Sequence, residues 1–462
     1  MQHLHLTPLA AGAGIRMIRA PKALADRELM VRGRDYTLRF GHRHTTARLG
    51  IAGGEDLDVP PLLGLSSDVL DDLLLVPGER CRLHVEQAHN QVIFGPLVGV
   101  LVSPRFVKAI SQEAIPTSAR LHGLGAQAQH AAVYYFTADG IDWESKTAVG
   151  WVPTEGGCWS RRLMPLPDII YDRAVFGRSQ DRTRVAYTRT RFSREPGFKF
   201  INARHYLDKW WLHQRLFAHP QVRGYLPNTA RYRGLTDLKD FLGRYRQVFI
   251  KSFYGSGGME VISIQAVGSG SYICHTCRRM IVLEDLDRVS FLIRRSLGTD
   301  ELIIQEGIDL VQYEGSNVDL RSLVQKDDSG DWCKPQVVFR VAAGDRPMTN
   351  LHQHGRAMPC DKLMPLTLGG RKKVRTGYAE LSDLSLLLAR HIEHEYGPFG
   401  EIGLDLALDK NGRFWFLEAN AKPDKGPDSF EESVNHVYPQ FENIFAYARF
   451  LTNFTEPSWC VE

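Results

Sequence analysis

Three hard oxygen side chains, Asp405, Glu418 and Asn420, lie close together toward one end of a 462-residue chain. Glu418 and Asn420 are two residues apart, so an extended backbone turns them to one face. They share the run EIGLDLALDKNGRFWFLEANAKP (401–423) with Asp405. Two stretches of strand-like alternation in it, Ile402–Leu408 and Arg413–Leu417, flank Asp409-Lys410-Asn411-Gly412. Asn-Gly between such stretches predicts a hairpin with a tight primed turn, whose φ > 0 positions suit those residues. The ladder can then set Asp405 opposite the other two. Carboxylate, carboxylate and amide oxygen at one spot suit Mg²⁺, which takes few protein oxygens and leaves its other positions to water and phosphates. A half-buried hairpin with a polar wet end reads the same letters without a metal.

Lys251 closes a predicted strand and is followed by Gly255, Ser256, Gly257 and Gly258. Glycines let backbone N–H groups approach a phosphate, and a strand-borne lysine supplies a point charge. The Walker pattern is absent, so a glycine-rich hairpin tip over nucleotide phosphates fits better; an ordinary glycine-rich hairpin is the plainer alternative. Gln305, Glu306 and Ile308 sit at the end of the apolar strand 301–306, where backbone groups could meet an adenine edge. Asp319 and Arg321 share a strand face, and Arg340 lies on the next strand. Guanidinium forks hold phosphoryl groups or carboxylates bidentately, although each of these residues is equally readable as a member of an ion pair. Thr349-Asn350-Leu351 follows.

The elements that must carry these groups are spread along the chain. Residues 1–92 read as a β-rich domain with one helix near Ser66–Leu75. Leu97–Val102 is a continuous apolar run bounded by Gly-Pro and Ser-Pro, the mark of a strand buried on both faces of a parallel sheet. It opens an α/β domain over 93–205, with a helix near Arg120–His130 and an arginine-rich stretch at 178–204 that reads as a solvated loop. Helical spacing recurs in Lys209–His219, Thr236–Tyr245, Asp285–Leu297 and Leu381–Glu395, and His391 and His394 on the last of these are expected to face solvent. Hydrophobic residues make up 43% and charged residues 24% of the chain, with a net charge of +4. Those values fit a globular protein and argue against a nucleic-acid binder. No apolar run reaches the roughly 20 residues of a membrane span. Seven scattered cysteines oppose a disulfide framework, and Cys274-His-Thr-Cys277 is a lone pair without a second half.

Order and spacing together resemble the ATP-grasp superfamily, and within it the YheC/YheD group of endospore coat-associated proteins. The segments that carry the resemblance are Gly95–Ser103, Leu166–Arg173, Leu226–Thr229, Ile250–Gly258, Ile303–Ile308, Asp319–Gln325 and Gly403–Pro423. Two departures stand out: His354-Gly355 where many such ligases carry Gly-Gly, and Ala419 where Val commonly precedes the asparagine. The resemblance implies an α/β (α+β) ATP-grasp fold of two lobes over 206–455, behind the two domains above. It further implies ATP held by Lys251, Ser256, Gly257, Gly258, Gln305, Glu306, Ile308, Asp319 and Asn350. One or two Mg²⁺ would sit on Asp405, Glu418 and Asn420, with Arg321 and Arg340 acting on the transferring phosphoryl group. The expected activity is ADP-forming carboxylate–amine ligation through an acyl phosphate. A non-catalytic ATP-binding scaffold of the spore coat and a small-molecule kinase are the alternatives. The expected partners are ATP, an acid and an amine, and candidate further ones are spore coat proteins and other copies of the chain. The expected location is the cytoplasm, or the spore coat.

Overall fold

The computed structural model describes residues 2–9, 15–52, 62–111, 115–154, 158–175, 179–255, 260–268, 270–299, 301–342, 356–359, 364, 371–425, 437–454 and 459–461. Ser256, Gly257, Gly258, Asn350 and the pair His354-Gly355 lie outside them. The chain divides into two compact units. One comprises 1–202, 326–331 and 432–462, and the other 203–325 and 332–431. Among the described residues no helix is long and apolar enough to cross a membrane.

In the first unit eight strands close a barrel. The short strand Trp459–Val461 completes it, pairing parallel with Gln2–Leu9 and antiparallel with Cys81–Glu86. Helix Ser67–Leu73 lies where the sequence places it, but Ser66 does not cap it; the Ser66 hydroxyl accepts from the Met17 amide instead. Beside the barrel runs a six-stranded sheet. Leu97–Leu101 is buried throughout and pairs parallel with both neighbours, Ala132–Asp142 and Ile169–Asp172. The stretch read as a basic loop is different: 179–194 is a helix. Val185 and Phe192 anchor it in the core, and Arg189 makes a bidentate ion pair with Asp172. It contains no Gly or Pro to break it, and its apolar residues are too few to announce a helical period.

The second unit has two antiparallel sheets, each with helices on one face. In the first sheet, Gln247–Ser252 lies between Leu302–Glu306 and Val261–Val267. Helices Leu235–Arg244 and Leu286–Leu297 cover it through Leu238, Phe241, Val289 and Ile293. Cys274 is buried in that core, and burial pushes its thiol up to about 12. The second sheet runs Arg356–Pro359, Gln336–Val341, Ser316–Gln325, Glu401–Leu408, Phe414–Asn420. Helix Arg371–Tyr396 packs on it with Leu381, Leu384, Leu388 and Ile392.

The final long helix, Pro439–Leu451, packs in the first unit against helix Thr117–Ala128. A Cβ on Gly125 would stand 2.7 Å from the Phe441 carbonyl oxygen. Backbone on the far side cannot yield as a side-chain tip would. Gly125→Ala is therefore expected to destabilise this unit by about 1–3 kcal/mol, read as a lowered urea midpoint of its unfolding transition.

Candidate functional site

The hairpin 401–420 forms, but its turn differs from the expected one. Only Gly412 of the Asn-Gly pair has positive φ, at 83°. The Asp409 carboxylate shapes the loop, accepting from the amides of Asn411 and Arg413 and from Trp415 Nε1. With those donors satisfied, a longer loop with one left-handed glycine replaces the two-residue turn.

Register then decides the chemistry. Leu408, Ala407 and Leu406 pair in turn with Phe414, Trp415 and Phe416, after which the ladder shifts so that Asp405 faces Glu418 and Gly403 faces Asn420. Leu417 is the extra residue of this β-bulge. Without it, Leu417 would oppose Asp405, and Glu418 and Asn420 would point to the other face of the sheet. The bulge brings all three oxygen donors to one face.

Neighbouring strands add charges to that face. Arg321 pairs in register with Asp405, and Asp319 with Arg340. Arg340 is buried and holds Asp319 through two hydrogen bonds of 2.7 and 2.5 Å, while its Nη2 lies 3.2 Å from Asp405 Oδ2. Arg321 Nη1 lies 3.0 Å from Asp405 Oδ1, yet the angle is not that of a hydrogen bond, and neither buried atom has another partner of that kind. Gly403 leaves the room: a Cβ there would meet Arg321 Nη1 at 2.7 Å. Both arginines are thus engaged with carboxylates, and they position Asp405 and Asp319.

Lys251 comes from the other sheet. Its ammonium donates to Gln305 Oε1 at 2.6 Å, and Gln305 Nε2 donates to Thr229 Oγ1 at 3.0 Å. Gln305 therefore grips the lysine. The side chain of Glu306 accepts from the amide and side chain of Asn228, and the Glu306 and Gly307 amides donate to the carbonyls of Asn228 and Gln247. These groups are committed within the fold, while Gln305, Glu306 and Ile308 line the cleft described below.

A further cation has no counterpart in the sequence reading. Lys209 is the first residue of helix Lys209–Ala218, behind the N-cap Asp208. Its ammonium lies 3.5 Å from Glu418 Oε2 and donates to the Gly255 carbonyl. A lysine in the first turn works against the helix dipole, and that anomaly was the available signal.

Most of these groups line one cleft of about 920 Å³, open solvent at its mouth included; Arg321 and Asn420 are not among its lining residues. Lys209, Lys251, Asp319, Arg340, Asp405 and Glu418 supply its charge. Phe249, Val261, Ile308, Leu310 and Leu417 supply apolar wall. Burial pulls the Lys251 ammonium down to about 8, against the opposing pull of Glu418. Burial would raise Glu418, but Lys209, Lys251 and Arg321 outweigh it and hold the carboxyl at about 2. Asp405 goes the other way, raised by burial despite Arg321 and Arg340. A divalent cation fits this donor set, because a buried carboxylate pair with an oxygen lacking a hydrogen bond gains from added positive charge.

Residues 197–451, more than half the chain, match the family model described as YheC/D-like ATP-grasp. The chain belongs to this family. Relatives within reach include the endospore coat-associated protein YheD of Bacillus subtilis (strain 168), 25% identical over 397 residues that cover 84% of this chain and 85% of YheD. The endospore coat-associated protein YheC of the same organism is 24% identical over 289 residues, covering 61% of this chain and 76% of YheC. Among solved structures, the ATP-grasp ligase PsnB with minimal precursor, Mg and ADP aligns with a TM-score of 0.44 at 14% identity, over 76% of this chain and 98% of that one.

Within this ATP-grasp chain, Arg340 is the sharpest point of vulnerability. Arg340→Met leaves Asp319 and Asp405 buried beside one cation fewer. Breaking such a network costs about 3–5 kcal/mol, and the expected readout is a matching fall in the denaturation midpoint of the second unit.

Proposed function

We propose that this chain is an ATP-dependent, ADP-forming carboxylate–amine ligase. The observation that supports this is the single cleft in which Lys209 and Lys251 face the Asp405–Glu418 pair. Paired cations beside paired carboxylates match a polyphosphate together with its metal, and a purely structural cleft has no use for both. Lys251, with Lys209 beside it, meets the phosphates' negative charge. The apolar wall around Phe249, Ile308 and Leu310 suits a flat base. Asp405, Glu418 and Asn420 would hold Mg²⁺, which when bound neutralises charge on the transferring phosphate. Arg340 and Arg321 keep Asp405 in place.

The substrate carboxylate oxygen bonds to the γ-phosphorus as the bond to the ADP oxygen breaks. The amine nitrogen then attacks the acyl carbon, expels phosphate and loses a proton. Catalysis by positioning and charge needs no covalent enzyme intermediate, and among the described residues no cysteine lines the cleft. The names of YheD and YheC favour a second reading, ATP-regulated scaffolding in a spore coat, and with it a link to sporulation.

ADP release from the purified chain, with mixed acids and amines added singly and together, tests the proposal. Release requiring both supports the ligase, release with an acid or hydroxyl compound alone supports a kinase, and nucleotide binding without turnover supports the scaffold. Glu418→Gln is expected to cut metal-dependent ADP release by about 10²–10³-fold while the far-ultraviolet dichroism stays as in wild type.

Nucleotide affinity carries a pH signature. Lys251 is charged below about 8 and neutral above it, so affinity should weaken as pH rises through that value. Losing a charged hydrogen bond corresponds to about 1.5–3 kcal/mol. Lys251→Arg keeps its charge throughout, and calorimetry from pH 7 to 9.5 should show the slope in wild type and a flatter profile in the variant.

A further inference from the structure

The last turn of helix Arg371–Tyr396 carries His391, His394 and Glu395, a spacing that puts all three on one helical face. His219, which ends helix Lys209–Ala218 and precedes Pro220–Arg223, packs against that face. Its ring centroid is 4.3 Å from that of His391 and 6.1 Å from that of His394. Glu395 Oε1 is the focus: His219 Nε2 lies 3.0 Å from it and His394 Nδ1 3.3 Å. The other oxygen, Oε2, accepts from Arg215 Nη1 at 2.6 Å. His391 Nε2 is turned to Gln221 Oε1 at 3.3 Å.

An ion pair requires only Arg215 and Glu395. That pair does not need the imidazoles of His219, His391 and His394 that gather around it. Imidazole nitrogens beside a carboxylate are a transition-metal donor set. The geometry is close to one. Tetrahedral coordination with bonds of about 2.1 Å places neighbouring donors roughly 3.4 Å apart. Two of the three donor separations here are 3.0 and 3.3 Å. One donor atom from each of His219, His394 and Glu395 lies within 4.8 Å of the others, and the His394 side chain is 74% exposed.

We propose that His219, His394 and Glu395 bind a divalent transition ion of the zinc class, with Arg215 orienting Glu395 through its second oxygen and water completing the shell. An outer partner of that kind fixes a ligating carboxylate. The ion would pin helix Lys209–Ala218 at the end opposite Lys209. The site is separate from the nucleotide cleft and does not depend on the ligase reading.

The test is calorimetric titration of the full chain with ZnCl₂, without nucleotide or magnesium, paired with absorption spectra after Co²⁺ loading. Expected are one ion per chain, a tetrahedral cobalt spectrum without a thiolate band, and affinity at least about tenfold weaker in His219→Ala and in His394→Ala. The exposed position of His394 makes its removal safe for the fold. Binding should persist in Glu418→Gln. Absence of binding, a thiolate band, or unchanged affinity in both histidine variants overturns the proposal, as does loss of binding in Glu418→Gln alone.

Discussion

Charges buried on a sheet must be compensated within it, and that requirement organises the second unit. Asp319 and Asp405 lie on one face with Arg340 and Arg321 on adjacent positions. Alone, any of the four would be driven toward its neutral form or out to water. Together they hold a carboxylate inside the fold with an oxygen lacking a hydrogen bond. The first sheet repeats the device on a smaller scale. Buried Lys251 keeps its proton at neutral pH because Gln305 accepts from it and Glu418 stands near.

Much of this was legible because strands have a period of two. Parity alone placed Glu418 with Asn420 and Asp319 with Arg321. The hairpin was legible from its alternation and its Asn-Gly. What parity could not supply was the bulge at Leu417, which rescues a register that the turn by itself would have set wrongly. The turn type was missed as well, since the Asp409 side chain outweighs the local preference of Asn411. Lys209 escaped because helical spacing explained its neighbours, while its conflict with the helix dipole was a single-residue signal.

The other misses come from long-range order. The arginine-rich helix 179–194 depends on Asp172 and on a core built by distant strands. Strand Trp459–Val461 is too short to show alternation, and only its two partners define it. The arginines were legible as a pair with Asp319, but not as residues already occupied. A sequence shows which charges are present, whereas their availability depends on which neighbours reach them first. Arg340 lines the cleft with Lys209 and Lys251, yet it is also bound to Asp319 and lies beside Asp405.

The closing strand of the barrel has a bearing on biosynthesis. Its two partners, Gln2–Leu9 and Cys81–Glu86, leave the ribosome hundreds of residues before Trp459–Val461 does. Until then the seam between them exposes unpaired backbone on both sides, the kind of edge that recruits strands from other chains. A nascent chain that folds this barrel early would carry it open throughout translation of the second unit, a period in which a holding chaperone would have a defined edge to shield.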